Sequence, residues 1–320
     1  MDTDKIYQMF ILGRGNSEYP LKKGLGGVIF FSDDICSVEQ FKCLILNLKS
    51  QAKIPLFLSI DQEGGRVERT EKLHDRYLSP MYAFRRGIEF LKNQTAKIAE
   101  ELVTYGINMN FSPCLDVNTN AQNPVIKDRA FSDNPHEVCM GYDIVSNIYR
   151  IYGIIPVIKH FPGHGGSSKD SHKELPIIDL SLDVMEKIHI LPFKYAIEHG
   201  AEMVMAAHLH CTCFDAGSVP ASLSKNCLKY LRDTLNFNGV IISDDMLMQG
   251  AAVFGLTESC LRGINAGINM FIYRNSDDNV LQVIENVIKA AESDTELRDK
   301  IEYSYDKIIK LKQLYGIIQE

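Results

Sequence analysis

The chain has 320 residues, of which 45% are apolar and 23% charged, the balance of a globular protein in water and enough for one large domain or two small ones. A net charge of −7 argues against a nucleic-acid partner, because binders of the phosphate backbone carry a basic excess. No apolar run approaches the roughly 18 residues that cross a bilayer, and the polar start Met1-Asp-Thr-Asp-Lys lacks the regions of a secretory leader, so no membrane partner and a cytoplasmic location are expected.

The first apolar run is Met9–Leu12, closed by a glycine, and Gly27–Phe31 is the second, closed by Ser-Asp-Asp. Ser37–Gln51 carries Phe41, Leu44 and Leu48 at helical spacing, with Ser37 placed as N-cap. Pro55–Ile60 is the third run, ended by Asp61-Gln62-Glu63-Gly64-Gly65-Arg66, and Glu89–Tyr105 is helical in period. Ile107–Phe111 reads as a fourth strand ending in Ser-Pro-Cys-Leu-Asp116, His136–Tyr152 as a helix, and Ile154–Ile158 as the fifth strand.

The alternation continues with a helix over Leu182–His199 and a sixth strand, Glu202–Ala206, followed by Ala-His208. A helix over Ser224–Leu235 precedes the seventh strand, Gly239–Ile242, which ends in Ser-Asp244-Asp245. A helix over Thr257–Ala266 precedes the eighth strand, Asn269–Ile272, and helical segments follow near 278–292 and 295–315. Eight short apolar runs separated by amphipathic helices predict parallel strands with helical crossovers, closed into an α/β (β/α)8 barrel of the TIM type. No linker or low-complexity tract interrupts the pattern, so a single domain over 1–320 is expected. Active sites of such barrels lie at the C-terminal ends of the strands, where Asp61, Asp116, Lys159, His160, His208 and Asp244 follow the runs. Any one of these aspartates could be a helix cap; six polar strand ends in one chain point to a site.

The densest polar stretch is Lys159–His172, with Gly163, Gly165 and Gly166 inside it. Three readings stand for this loop. It could cradle phosphate, but it lacks the Gly-x-x-x-x-Gly-Lys-Ser/Thr spacing. His160, His164 and His172 could hold a metal, but Phe-Pro-Gly and Gly-Gly-Ser-Ser preclude the one helical face their spacing would need. The third reading is acid–base chemistry: Asp170 lies two residues from His172, close enough to fix the imidazole tautomer and raise its basicity. A solvated surface pair is the plain alternative. Asp244 and Asp245 are adjacent, so their side chains should diverge, and whichever enters the mouth could attack an anomeric carbon. Lys159, His160, Asp61, Arg69 and Arg129 would supply the directional hydrogen bonds that sugar hydroxyls need. Lys159 is not expected in the core, because an unpaired buried ammonium is costly. Eight scattered cysteines form no Cys-x-x-Cys pair, so neither a zinc site nor a disulfide framework is expected.

These residues carry a resemblance. The segments Gly26-Gly-Val-Ile-Phe-Phe, Ser59-Ile-Asp-Gln-Glu-Gly-Gly-Arg-Val-Glu-Arg, Asn110-Phe-Ser-Pro-Cys-Leu-Asp-Val, Asp128-Arg-Ala-Phe-Ser-Asp-Asn-Pro, Lys159-His-Phe-Pro-Gly-His-Gly, Asp170-Ser-His and Val240-Ile-Ile-Ser-Asp-Asp-Met-Leu-Met resemble glycoside hydrolase family 3. Within that family they resemble the single-domain β-N-acetylglucosaminidases of bacterial cell-wall recycling, with the motifs in family order across 9–275. The resemblance implies a retaining mechanism with Asp244 as nucleophile and His172, assisted by Asp170, as general acid/base. It places Asp61, Arg69, Arg129, Lys159 and His160 on the sugar. It implies a small carbohydrate substrate, a muropeptide fragment, with no cofactor, no metal and no obligatory protein partner. Phosphorolysis on the same scaffold is the runner-up, since a neutral imidazole base does not repel an incoming anion. A non-catalytic sugar-binding protein is a further alternative, disfavoured by the intact Asp170, His172 and Asp244. The chain departs from the usual family pattern at Gly166, at Ile-Asn-Met-Asn after Gly106, at Arg-Ala-Phe, and at Tyr273-Arg-Asn after the last strand; these departures bear on aglycone preference.

Overall fold

A computed structural model describes residues 2–16, 18–167 and 175–319. Eight strands close into a barrel: β1 (Phe10–Leu12), β2 (Gly27–Phe30), β3 (Phe57–Ile60), β4 (Met109–Asn110), β5 (Ile155–Phe161), β6 (Met203–Ala206), β7 (Val240–Asp245) and β8 (Met270–Tyr273). Each pairs in parallel with its sequence neighbours, and β8 returns to β1 through Phe10↔Phe271, Ile11↔Ile272 and Leu12↔Tyr273. The strands are apolar runs rather than alternating ones because both of their faces are buried, one in the barrel and one under helices.

The crossover helices form where apolar residues repeat at helical spacing behind a polar cap. In Val38–Gln51, Phe41, Ile45 and Leu48 face inward, and the Ser37 hydroxyl accepts from the Gln40 N–H at 3.2 Å. Asn134, Ser224, Asp277 and Asp294 cap later helices in the same way. The expected helix over 182–199 is instead broken into Leu182–Val184, a π-helical turn Met185–His189 and Leu191–Glu198. Pro192, which has no N–H to donate, stands in the first turn of the last piece. A similar π turn, Tyr230–Thr234, follows Lys225–Lys229. Short helices Thr3–Tyr7, Glu18–Lys22 and Pro80–Arg85, and an outer parallel pair of Ile177–Ile178 with His210–Cys211, complete the architecture.

The floor of the barrel is closed by the helix Thr295–Leu314. From it Lys312 reaches inward, fully buried, and donates to Gln8 Oε1 at 2.8 Å and the Pro55 carbonyl at 2.6 Å, with its ammonium 4.8 Å from the Phe57 ring centre. Burial pushes this amine well below the usual lysine range. Both oxygen partners precede strands, so the contact lies at the end of the barrel opposite the strand C-termini. Among the described residues, no helix is long and apolar enough to cross a membrane, and all eight cysteines are free thiols, five of them buried.

Candidate active site

The C-terminal ends of the strands surround a cavity of about 430 Å³, lined among others by Asp61, Arg69, Arg129, Lys159, His160 and Asp244. Six of the eight residues expected to form the site therefore meet at one mouth, from segments up to 183 positions apart, counting Asp61 to Asp244. The other two, Asp170 and His172, lie outside the described residues.

The strand–loop boundary expected after Ile158 falls three residues later, because β5 runs to Phe161 and contains Lys159 and His160. Its register with β6 slips between Ile158 and Phe161, and both side chains reach the cavity, as a bulge permits by breaking the strict alternation of a pleat. The Lys159–His160 peptide is cis. Contrary to expectation Lys159 is a core residue, only 1% exposed. It is tolerated there because it is paired twice: Nζ lies 2.7 Å from Asp61 Oδ1 and 2.6 Å from Glu63 Oε1.

Glu63 in turn accepts a two-pronged contact from Arg129, Nε at 2.9 Å and Nη2 at 2.8 Å. Burial works to raise the Glu63 carboxyl, but Arg129 and then Lys159 outweigh it and hold the group well below the usual carboxylate range. For Lys159, burial works downward and is overcome by Asp61 and Glu63. The Arg129 fork continues to His160, with Nη2 3.3 Å from Nε2, and the opposite ring nitrogen, Nδ1, lies 2.6 Å from Asp116 Oδ2. A guanidinium can only donate, so this contact fits the tautomer carrying its proton on Nδ1. Asp116 also accepts from the Cys114 thiol at 3.2 Å and from the backbone N–H of His160 and His164. Burial would raise its carboxyl; the His160 ring, followed by His164, holds it below the usual range. Burial also drops the His164 imidazole to about 4.

The exit loop of β3 is fixed from β4. The Asn110 side chain brackets the Gln62 backbone with two hydrogen bonds of 2.9 Å, and Gln62 Oε1 accepts from the Arg69 N–H at 2.8 Å. Arg69 lies over the Phe31 ring with Nη2 3.8 Å from Asp61 Oδ2.

Asp244 and Asp245 divide as two adjacent strand residues should. Asp245 is committed: Oδ1 accepts from the Leu247 N–H at 3.0 Å and the Arg274 N–H at 3.2 Å, while Oδ2 meets Arg274 Nε at 3.1 Å. Burial pushes its carboxyl up. Asp244 Oδ1 accepts only from the Asp245 N–H, at 2.7 Å, and its Oδ2 accepts no hydrogen bond among the described residues. Burial works to raise Asp244, yet the rings of His160 and His208, the Asp245 N–H and Lys159 together bring it below the ordinary value. It is an ionised carboxylate facing a cavity, with one oxygen unpaired among the described residues.

Two groups central to this geometry had no assigned role in the sequence reading. Glu63 stands two residues after Asp61, and Asp116 is a polar strand end; position was the only signal either offered. One group of metal-ligating types comes together among the described residues, Cys114, Asp116 and His160, but there Asp116 already accepts from both neighbours.

Behind the mouth, the Gly-rich loop is shaped by contact. At Gly163 φ is +125°, a conformation side chains rarely adopt. At Gly165 the requirement is space: a Cβ there would stand 1.7 Å from the Val117 carbonyl oxygen.

A closed parallel barrel with a carboxylate and a dense donor–acceptor array at its strand ends defines an enzyme of the (β/α)8 class built to handle a polyhydroxylated substrate. The chain belongs to glycosyl hydrolase family 3: residues 3–311 match the family's N terminal domain, and it is accordingly a glycoside hydrolase. It is 35% identical over 280 residues to a beta-hexosaminidase of Actinobacillus pleuropneumoniae, covering 84% of this chain and 79% of that one. It is 33% identical over 274 residues to a beta-hexosaminidase of Methylobacillus flagellatus, covering 82% and 77%. Among solved structures, a family 3 beta-N-acetylglucosaminidase from Paenibacillus superposes with a TM-score of 0.93 at 28% identity, covering 99% of this chain and 63% of that longer one.

Proposed function

We propose that the protein is a retaining exo-β-N-acetylglucosaminidase that removes terminal N-acetylglucosamine from muropeptide fragments. The observation that carries this reading is the Asp244 carboxylate, ionised and with one oxygen unpaired among the described residues, in one cavity with groups of the Asp61–Lys159–Glu63–Arg129–His160 network. The relatives named above as beta-hexosaminidase and beta-N-acetylglucosaminidase support the substrate class.

In this reading Asp61, Arg69, Arg129, Lys159 and His160 take the hydroxyls of the non-reducing sugar. Asp244 attacks C1 while His172, as imidazolium, gives its proton to the leaving oxygen. The ester on Asp244 is then opened by water as neutral His172, held by Asp170, takes a proton, and the configuration at C1 is retained.

The test is turnover of 4-nitrophenyl N-acetyl-β-glucosaminide, followed by mass spectrometry after exposure to a fluorinated N-acetylglucosaminyl fluoride. Turnover with a label on the peptide carrying Asp244 is expected, and Asp244→Ala should lose both. A labelled residue elsewhere, or wild-type-like rates in Asp244→Ala, rejects the nucleophile. His172→Ala should slow glycosides with poor leaving groups far more than activated aryl glycosides, because only the former need a proton; equal losses count against an acid role. N-acetylglucosamine 1-phosphate as the product in phosphate buffer would make the enzyme a phosphorylase instead.

A further inference from the structure

Five of the six polar strand ends, Asp61, Asp116, Lys159, His160 and Asp244, belong to the cavity wall or to the carboxylates that brace it. His208 is the sixth. It follows β6, is 1% exposed and does not line the cavity. Its Nδ1 stands 2.7 Å from Ser222 Oγ. Ser222 lies on a stretch that folds back over the ring, where the Ser222 N–H donates to the Ala207 carbonyl at 3.1 Å and the Ala221 N–H to the Leu209 carbonyl at 2.7 Å. Nε2 is buried and has no hydrogen-bond partner among the described residues. A buried polar atom left unpaired is costly, and calls for a reason.

The neighbouring strand supplies one. β6 and β7 pair in parallel with Ala206 opposite Ser243, so His208 and Asp244 leave adjacent strand tips. Burial holds the His208 imidazole below its ordinary value and therefore neutral; the Asp244 carboxylate and the backbone of Asp244 and Asp245 pull the other way. Nδ1 is spent on Ser222, which leaves Nε2 for these acceptors. The tautomer that fits carries its proton on Nε2, with the Ser222 hydroxyl donating to Nδ1, because a bare lone pair there would face negative charge. Asp244 presents the complementary gap: Oδ1 accepts from the Asp245 N–H alone, and Oδ2 has no donor among the described residues.

We propose that His208, seated by Ser222, is a positioning residue for the nucleophile: its Nε2–H steadies Asp244 from outside the cavity wall and aims the carboxylate at C1. The inference rests on the assignment of Asp244 as nucleophile and adds the group that aims it.

The test compares His208→Asn with His208→Gln. An asparagine amide reaches the place of Nδ1 and a glutamine amide the place of Nε2, so only glutamine can return a donor to Asp244. The readout is the rate at which the fluorinated N-acetylglucosaminyl fluoride labels Asp244, a step that needs the nucleophile but little help in releasing its activated leaving group. His208→Asn should slow labelling about tenfold, the effect of losing one hydrogen bond to a charged group, with the inhibition constant for N-acetylglucosamine unchanged. His208→Gln should recover most of the rate. Ser222→Ala, which frees the ring to take the other tautomer, should fall between. Wild-type labelling in His208→Asn, labelling as slow in His208→Gln as in His208→Asn, or weakened N-acetylglucosamine binding at an unchanged labelling rate overturns the proposal while leaving the hydrolase intact. Should neither His208 variant fold, Ser222→Ala decides, and an unchanged labelling rate there overturns the proposal. Failure of wild type to label at Asp244 or to cleave the aryl glycoside removes the nucleophile reading itself, and this one with it.

Discussion

Glu63 is the hinge of the site's electrostatics, although it lines no part of the cavity. It holds Lys159 and Arg129 in place, and both are almost fully buried. Removing one charge from such a set strands the others in a medium that solvates them poorly. Glu63→Gln is therefore expected to cost about 3–5 kcal/mol of stability, seen as a fall in the midpoint of urea unfolding at pH 7. It should also raise KM for the aryl glycoside, because Lys159 and Arg129 lose their aim. A variant as stable as wild type, with unchanged KM, would show that the network is not coupled through this carboxylate. Asp116 acts one step further back, by turning the His160 ring. Asp116→Asn should lower kcat/KM without removing any group from the cavity wall; unchanged kinetics would remove Asp116 from the positioning chain.

At the scale of elements, the acid–base role proposed for His172 makes the geometry of the loop after β5 a sensitive test of that proposal. Gly165 sits against the Val117 carbonyl with no room for a methyl group. Gly165→Ala must shift the segment that leads towards His172, and a displacement of about 1 Å in a reacting group costs on the order of a hundredfold in rate. The expected outcome is a large loss of kcat with near-wild-type circular dichroism; full activity would mean the segment has slack. The same element shows what sequence pattern can and cannot reveal. The eight strands and their order were legible, because each is an apolar run bounded by turn or polar residues and most are separated by an amphipathic helix, the short helix Glu18–Lys22 between the first two having gone unread. The end of β5 was not: Lys159 and His160 read as loop because hydropathy is local, whereas their partners Asp61 and Asp116 lie 98 and 44 residues away. The break in the helix at 182–199 escaped for a related reason, since apolar periodicity continues across a π turn. The residues lining the mouth were legible from motifs, but the roles of Glu63 and Asp116 were not, because a supporting carboxylate is recognised only by what it touches.

For the whole molecule, these buried carboxylates set the response to acid. Glu63, Asp116 and Asp244 are all held below their ordinary values in the folded state. A depressed carboxyl contributes stability that is fully present above its unfolded value, near pH 4, and is lost as pH falls through the folded value. Stability should therefore hold from neutral pH to about 5 and decline steeply below it, with a shallower decline in Glu63→Gln. Urea unfolding followed at pH 7, 5 and 3.5 measures this, and equal slopes for the two proteins would contradict it.

The floor contact at Lys312 has a practical reach of its own. The helix Thr3–Tyr7 leads into β1 from that same floor and packs against Asp278–Ser293 and Thr295–Leu314, so the first and last described helices both lie on the face turned away from the strand tips. A resin, tag or fluorophore attached beside Thr3 or Leu314 stands at the end of the barrel opposite the opening. Immobilisation through these floor helices should leave even bulky glycans free to enter, whereas random coupling through lysines would crowd the opening at Lys72, exposed on the loop that follows β3.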